Sequence, residues 1–133
     1  MPYAKQMLES HRWPGHIDRQ VLADLIEAAA ECAQTCTSCA DACLSEDSVA
    51  DLRKCIRLDL DCADVCATTA RVLTRQTEYD APLSKALVES CRQACATCAE
   101  ECEQRADHHE HCKICAEACR RCEQACREFL EAV

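Results

Sequence analysis

The 133-residue sequence has very few residues that break helices or build loops, with one glycine and three prolines. Aromatic residues make up only 3%, and no apolar run reaches the 18 residues of a membrane-spanning helix. Basic residues are also scarce, since 15 lysines and arginines are outnumbered by 24 acidic residues. The shortage of glycine and proline argues against a loop-rich disulfide scaffold. The net charge of −9 argues against a nucleic-acid-binding protein.

The first residues lack the apolar segment of a secretory signal peptide. We therefore expect a cytoplasmic protein that has no membrane partner. The cytoplasm is reducing, and clustered cysteines in that compartment more often bind metal than form disulfides.

Cysteine is the unusually abundant residue, with sixteen copies in the chain. Alanine and cysteine together account for more than half of the hydrophobic residues. Large aliphatic side chains are therefore too few to fill an interior alone. Cysteine must supply part of the buried surface.

Long segments without glycine or internal proline predict four helices, over residues 18–44, 49–76, 81–105 and 108–131, and a short N-terminal helix within residues 3–12. Asp18 is a predicted N-cap, Pro82 fits a first helical turn, and Asp107 with Glu110 forms a capping-box pattern. Short connections make neighbouring helices antiparallel. The sequence therefore predicts one all-α domain over residues 1–133, an antiparallel up-down-up-down four-helix bundle.

The cysteines recur at steps of three, four or seven residues, which places them on one face of each predicted helix. They are Cys32, Cys36, Cys39, Cys43, Cys55, Cys62, Cys66, Cys91, Cys95, Cys98, Cys102, Cys112, Cys115, Cys119, Cys122 and Cys126. In an antiparallel bundle these faces gather towards the end formed by loops 45–48 and 106–107. They would line a tube roughly 15–20 Å long. Cysteine packs no better than alanine or valine, so this surface indicates metal binding.

The spacing also bears on the metal. A Cys-x-x-x-Cys pair such as Cys32 and Cys36 can hold one soft ion, and Cys-x-x-Cys spacings allow a thiolate to bridge neighbouring ions. Four closed Cys₄ zinc sites would bury a charge of about −8. About one Cu(I) per thiolate would leave the core neutral. The charge balance favours Cu(I), and a zinc or heavy-metal buffer on the same scaffold is the alternative.

Other metal chemistries fit less well. An iron–sulfur electron carrier is a further alternative, although the bacterial C-x2-C-x2-C-x3-C-P run is absent. Di-iron bundle enzymes need Glu-x-x-His motifs, and the sequence has none. We therefore do not expect an enzyme.

Three histidines crowd the turn before the fourth predicted helix. If that helix begins at residue 108, His108 lies at the centre of the cysteine face, His111 at its edge, and His109 about 100° away. A solvated turn would explain them. Alternatively, His108 and His111 form a mouth, because neutral imidazole binds Cu(I) more weakly than thiolate and can pass ions inward. His11 and His16 are not expected to be ligands.

Asp59 occupies a position where the repeat predicts cysteine, four residues after Cys55 and three before Cys62. A carboxylate is a hard, poor ligand for Cu(I). Asp59 could instead accept a thiol proton, hydrogen-bond a histidine or face solvent. A role in metal entry is the hypothesis that places Asp59 among the candidate metal-site residues.

A cysteine-lined four-helix bundle with repeated Cys-x-x-x-Cys pairs, from about Asp18 onward, resembles the cytosolic copper storage proteins. The resemblance implies that many Cu(I) ions are stored in the core as thiolate clusters, with all sixteen cysteines as ligands, giving copper tolerance. It also implies a homotetramer. The expected partners are copper ions, further copies of the chain and a copper chaperone as candidate donor. A second apolar stripe, formed by Val49, Ile56, Leu60 and Ala67, is either a helix seam or a subunit interface.

Overall fold

The computed structural model describes residues 3–13, 15 and 17–133. Within these residues the chain forms five α-helices and one short 3₁₀ turn. The elements are α1 (Ala4–Ser10), α2 (Arg19–Leu44), the 3₁₀ turn (Val49–Leu52), α3 (Arg53–Leu73), α4 (Ala81–Arg105) and α5 (Glu110–Ala132). None of the described helices is both long enough and apolar enough to cross a membrane.

The four long helices form a closed square. Helix α2 packs against α3 and α5, and α4 packs against the same two helices, whereas the diagonal pairs make no close backbone contact in the described residues. The antiparallel direction is visible in the cysteine pairs between α2 and α5, whose numbers rise on one helix and fall on the other. These pairs are Cys32–Cys119, Cys36–Cys115 and Cys39–Cys112. The predicted antiparallel four-helix bundle is confirmed, and α1, which packs on α2, is the predicted short N-terminal helix.

Acidic caps fix the beginning of two helices. The Asp18 carboxylate accepts hydrogen bonds from the backbone N–H groups of Gln20 and Val21 at the start of α2, as predicted. The Asp80 carboxylate accepts from Leu83 N–H at the start of α4, where Pro82 lies in the first turn. These caps satisfy backbone donors that would otherwise have no partner within the helix.

The predicted capping box before α5 is wrong. His109 is the N-cap residue, and Asp107 lies two residues earlier in the connection. The N–H groups of His108 and His109 both bond to the carbonyl of Arg105. These bonds extend the C-terminal turn of α4 and delay the start of α5 to Glu110.

The second bundle helix is shorter than the predicted 49–76. Its first residues form a 3₁₀ turn, in which Asp51 N–H bonds to the carbonyl of Ser48 at 2.8 Å, a common tightening at helix ends. At the other end, Gln76 turns back and donates its side-chain amide to the Leu73 carbonyl at 2.7 Å. That bond satisfies a terminal carbonyl and ends the helix three residues early.

Most of the large buried apolar side chains lie at the end of the bundle away from the 45–48 turn, although Leu52 is buried beside that turn. Leu25, Leu73, Val88 and Phe129 are completely buried there. These side chains form an apolar plug at that end, and Leu8 of α1 belongs to the same buried cluster.

Candidate metal centre

All sixteen cysteines are free thiols, and none is more than 1% exposed. The reason is geometric, because steps of three and four residues keep each cysteine on the inner face of its helix. Four such faces meet in the bundle. The interior that other bundles fill with leucine is here filled with sulfur.

Many of the sulfur atoms lie 3.5–4.0 Å from another sulfur, on the same helix or on a neighbouring one. Within α2, the Cys32 and Cys36 sulfurs are 3.8 Å apart, and between helices the Cys36 and Cys119 sulfurs are 3.5 Å apart. The same spacing continues deeper, where Cys66 lies 3.5 Å from Cys95. A disulfide requires about 2.05 Å between sulfurs. The spacing instead suits thiols that share a soft metal ion.

Several groups of four side chains bring their donor atoms within 4.8 Å of one another. They include Cys32/Cys66/Cys95/Cys122, Cys32/Cys36/Cys62/Cys119 and Cys36/Cys98/Cys115/Cys119. Cys32, Cys36 and Cys119 each belong to two of these groups. Separate closed tetrahedral sites cannot share ligands in this way, whereas clusters with bridging thiolates require it.

The thiols are surrounded by protein rather than water, which disfavours the thiolate form. Burial raises the pKa of the Cys43 thiol to about 12. This thiol is therefore protonated in the metal-free protein at neutral pH. A metal ion that binds it must displace the proton.

Asp59 lies inside the sulfur core and is completely buried. Its Oδ1 accepts hydrogen bonds from the thiols of Cys98 at 3.1 Å, Cys115 at 3.3 Å and Cys102 at 3.5 Å. Burial, together with the neighbouring thiols Cys115 and Cys55, raises the pKa of Asp59 to about 8. Two of the predicted alternatives, a solvent-facing carboxylate and a partner of histidine, are therefore wrong. The thiols are its partners.

His111 stands at the end of the sulfur core. Its Nδ1 lies 3.4 Å from the Cys39 sulfur, 3.6 Å from Cys112 and 4.0 Å from Cys43. Its side chain is 24% exposed, so one edge of the ring reaches solvent while the other faces thiols. These four side chains form a further group with donor atoms within 4.8 Å. The His111 ring therefore contacts both the solvent and the outermost cysteines of the core.

Neither of the other two histidines of this turn makes a hydrogen bond to a cysteine of the described residues. His108 is exposed in the connection between α4 and α5, so its predicted position on the cysteine face is wrong. The helical phase does not extend to it, because α5 begins at Glu110. His109 turns its Nδ1 towards the Glu46 carboxylate at 2.8 Å, and its ring stacks on that of His111 with centroids 5.3 Å apart.

The N-terminal histidines are separate from this site. His11 Nε2 lies 3.4 Å from the Thr77 hydroxyl, at the connection between α3 and α4. That connection is at the plug end of the bundle. His16 lies outside the described residues.

Glu46 is a functional candidate that the sequence reasoning missed. It lies in the turn after α2, where helical periodicity gives no information, and its contacts are with residues more than sixty positions away. Its Oε2 is 2.9 Å from His111 Nε2 and 2.8 Å from His109 Nδ1. The hydrogen bond from His111 lowers the pKa of Glu46. The signal in the sequence was only an acidic residue in the predicted 45–48 loop at the cysteine-rich end.

Comparison with known proteins gives one consistent result. A family model described as copper storage protein matches residues 18–131. The structure of the copper storage protein Ccsp from Streptomyces lividans, loaded with 10 copper equivalents, is 53% identical, with 98% of this chain and 99% of that chain covered and a TM-score of 0.96.

Two relatives of lower identity are also similar to this chain. The Cu(I)-bound copper storage protein BsCsp3 is 37% identical over 82% of this chain and 95% of its own, with a TM-score of 0.71. The uncharacterized cysteine-rich protein YhjQ of Bacillus subtilis (strain 168) is 37% identical over 88 residues, which are 66% of this chain and 76% of that protein.

Proposed function

We propose that this chain, which belongs to the copper storage protein family, holds many Cu(I) ions as thiolate-bridged clusters inside its bundle. The observation that carries the proposal is the network of sixteen buried thiols with shared four-donor groups. Relatives that carry 10 copper equivalents or bound Cu(I) support it. A related structure describes copper loading to a cytosolic copper storage protein, which supports the cytosol as the location. The role is storage and copper tolerance rather than catalysis, within one domain.

The charge of the core favours Cu(I) over divalent metals. Sixteen thiolates with about sixteen Cu(I) ions are neutral, whereas four Zn²⁺ ions would leave a buried charge of about −8. The sharing of Cys32, Cys36 and Cys119 between groups favours the same ion, because Cu(I) accepts low coordination numbers and bridging sulfur.

The geometry suggests an order of loading. We propose that an ion is received by His111 and passes to Cys39, Cys43 and Cys112, which surround its Nδ1. All sixteen cysteines are the proposed ligands. His108 and His109, which make no hydrogen bond to a cysteine of the described residues, are proposed only as transient contacts at the entrance.

Asp59 is the proposed hydrogen-bond acceptor that holds the thiols next to the entrance group. Its Oδ1 lies in one four-donor group with Cys39, Cys102 and Cys115. The carboxylate is a poor ligand for Cu(I), but it accepts hydrogen bonds from the thiols that must lose protons. Because burial raises its pKa to about 8, Asp59 is itself mostly protonated in the metal-free core, so it positions the thiols of the first clusters and does not take their protons.

An anaerobic titration of the reduced protein with Cu(I) against a competing chelator tests the proposal. We expect more than about ten tightly held ions per chain, because thiolates are shared between ions. A fourfold variant with alanine at Cys66, Cys91, Cys95 and Cys122 should hold about four fewer ions, with unchanged helical circular dichroism. Saturation near about four ions that zinc readily displaces would instead indicate a zinc buffer. No binding would reject metal storage.

We also propose a homotetramer that buries the outer face of α3. Leu60 of α3 is 45% exposed, and Leu44 at the end of α2 is 61% exposed. Both line one shallow groove with Ile56 and Val49. Exposed apolar clusters of this kind are typical of subunit contacts. Light scattering should give about four chains for the wild type, and fewer for Leu60→Asp, because a charge would then lie in the contact.

Delivery by a copper chaperone is the remaining part of the proposal. The partly exposed edge of His111 gives a donor protein a ligand with which to exchange its ion. Copper transfer from a loaded chaperone, followed by separation of the two proteins, tests this step. Failure of transfer while free Cu(I) loads normally would reject it.

A further inference from the structure

Glu46 connects the turn after α2 with the turn before α5, and these two turns form the entrance. It lies in the turn after α2, and its carboxylate oxygen Oε2 is shared by His111 at 2.9 Å and His109 at 2.8 Å. Both histidines stand at the start of α5. One carboxylate therefore orients two rings that belong to the neighbouring helix α5.

The position of the carboxylate is well defined. Glu46 N–H bonds to the carbonyl of Cys43, and the Glu46 carbonyl accepts from Val49 N–H, each at 3.2 Å. On the other side, the His109 ring stacks on His111 with an interplanar angle of 29°. The carboxylate is thus held by the turn below it and by the rings beside it.

This contact determines which nitrogen of His111 carries the proton. A carboxylate has only acceptor atoms, and Glu46 Oε2 lies 2.9 Å from His111 Nε2. His111 must therefore donate from Nε2. A neutral imidazole has one N–H, so its Nδ1 lone pair is left free on the side of Cys39, Cys43 and Cys112.

We propose that Glu46 is a positioning residue for copper entry, which fixes the tautomer and direction of His111 so that Nδ1 faces the entrance thiols before any ion arrives. The inference rests on the proposed function, in which His111 receives the ion. Histidines that bind metals commonly donate their second nitrogen to a carboxylate, which sets the ring orientation. Here the pair is formed in the metal-free protein, so an arriving Cu(I) meets a correctly oriented lone pair.

The tautomer can be measured without copper. Nitrogen-15 NMR of the reduced metal-free protein at neutral pH should show His111 protonated at Nε2 in the wild type, with the signal assigned by its loss in His111→Ala. In Glu46→Ala the ring should become a mixture of tautomers. Asp47→Ala removes the same charge from the same turn and should leave the wild-type tautomer. An Nδ1-protonated His111 in the wild type, or no change in Glu46→Ala, would overturn the proposal.

The effect on entry is measured by stopped-flow loading with about one equivalent of Cu(I). Loss of an outer carboxylate partner typically costs 10- to 100-fold, so we expect Glu46→Ala to capture the ion at least about 10-fold more slowly. Glu46→Gln keeps an acceptor oxygen and should lie closer to the wild type. It also provides the test if the alanine variant does not fold. Final copper capacity should be unchanged in both variants.

A double-mutant cycle separates positioning from simple attraction of the cation. If Glu46 acts through His111, Glu46→Ala should have no further effect on the rate in a His111→Ala background. An equal slowing in both backgrounds would show that Glu46 only attracts the ion, and would overturn the proposal. Failure of the wild type to load copper at all would reject the storage function while leaving the NMR result intact.

Discussion

Replacing Asp59 with asparagine removes an ionisable group from the sulfur core and keeps the shape of the side chain. Burial raises the pKa of Asp59 from an ordinary 3.8 to about 8, so the folded protein keeps a neutral carboxyl where the unfolded chain ionises it. Because the folded-state pKa is the higher one, stability is greatest below the unfolded pKa and falls as the pH rises towards 8. A pKa difference of this size corresponds to about 5 kcal/mol of unfolding free energy.

Urea denaturation of the reduced metal-free protein, followed by circular dichroism between about pH 4 and 8, measures this loss. The free energy of unfolding of Asp59→Asn relative to the wild type should increase by about 5 kcal/mol across the range, because asparagine stays neutral. Carboxyls with a lowered pKa, such as Glu46 and Glu103, make the folded protein more stable as the pH rises. The wild type and Asp59→Asn both contain these carboxyls, so their contribution cancels in the difference between the two proteins.

The exposed Asp64 on the same helix supplies the control. Asp64→Asn removes the same charge from the solvent side and should show no pH-dependent difference from the wild type. The reasoning is refuted if the difference between Asp59→Asn and the wild type does not change with pH. That result would mean that Asp59 is ionised inside the metal-free core.

Three further predictions follow from the core. Cys119→Ala should lower the Cu(I) capacity by about one or two ions in the chelator titration, because Cys119 belongs to two donor groups. An unchanged capacity would contradict the sharing of ligands. Loading the protein with Cu(I) in a pH-stat should release about one proton per ion bound, because buried thiols such as Cys43 are neutral. Release of less than about half a proton per ion would indicate thiolates that exist before copper binds. Phe129→Ala should lower the free energy of unfolding, measured by urea denaturation, by about 3–5 kcal/mol, because Phe129 is completely buried. The copper capacity should not change, and a reduced capacity would place copper in the plug.

Much of the core could be predicted because helical periodicity determines which side chains face the interior of the bundle. The steps of three and four residues between cysteines predict one inner face per helix, and the short connections predict antiparallel order. Both follow from local geometry, which one sequence contains. The burial of Cys32, Cys62, Cys95 and Cys119 follows from that phase alone.

The entrance was less predictable because it is built from turns. The phase of α5 was extended two residues too far, so His108 was placed on the cysteine face although it lies exposed in the connection. Glu46 was missed because its partners are distant in sequence and meet it only when α2 and α5 pack. The contacts of Asp59 were equally hard to predict, although Asp59 lies within a helix. Periodicity placed it on the cysteine face, but the thiols that surround it come from other helices.

The central claim is that the sulfur-lined interior itself holds the copper. Diffraction from crystals of the Cu(I)-loaded protein at the copper absorption edge would locate each ion by its anomalous signal. The account predicts more than about ten peaks per chain, lying between cysteine sulfurs along the bundle axis from the His111 end towards the plug. A few peaks confined to surface histidines and carboxylates, with sulfurs still 3.5–4.0 Å apart and no ion between them, would contradict it.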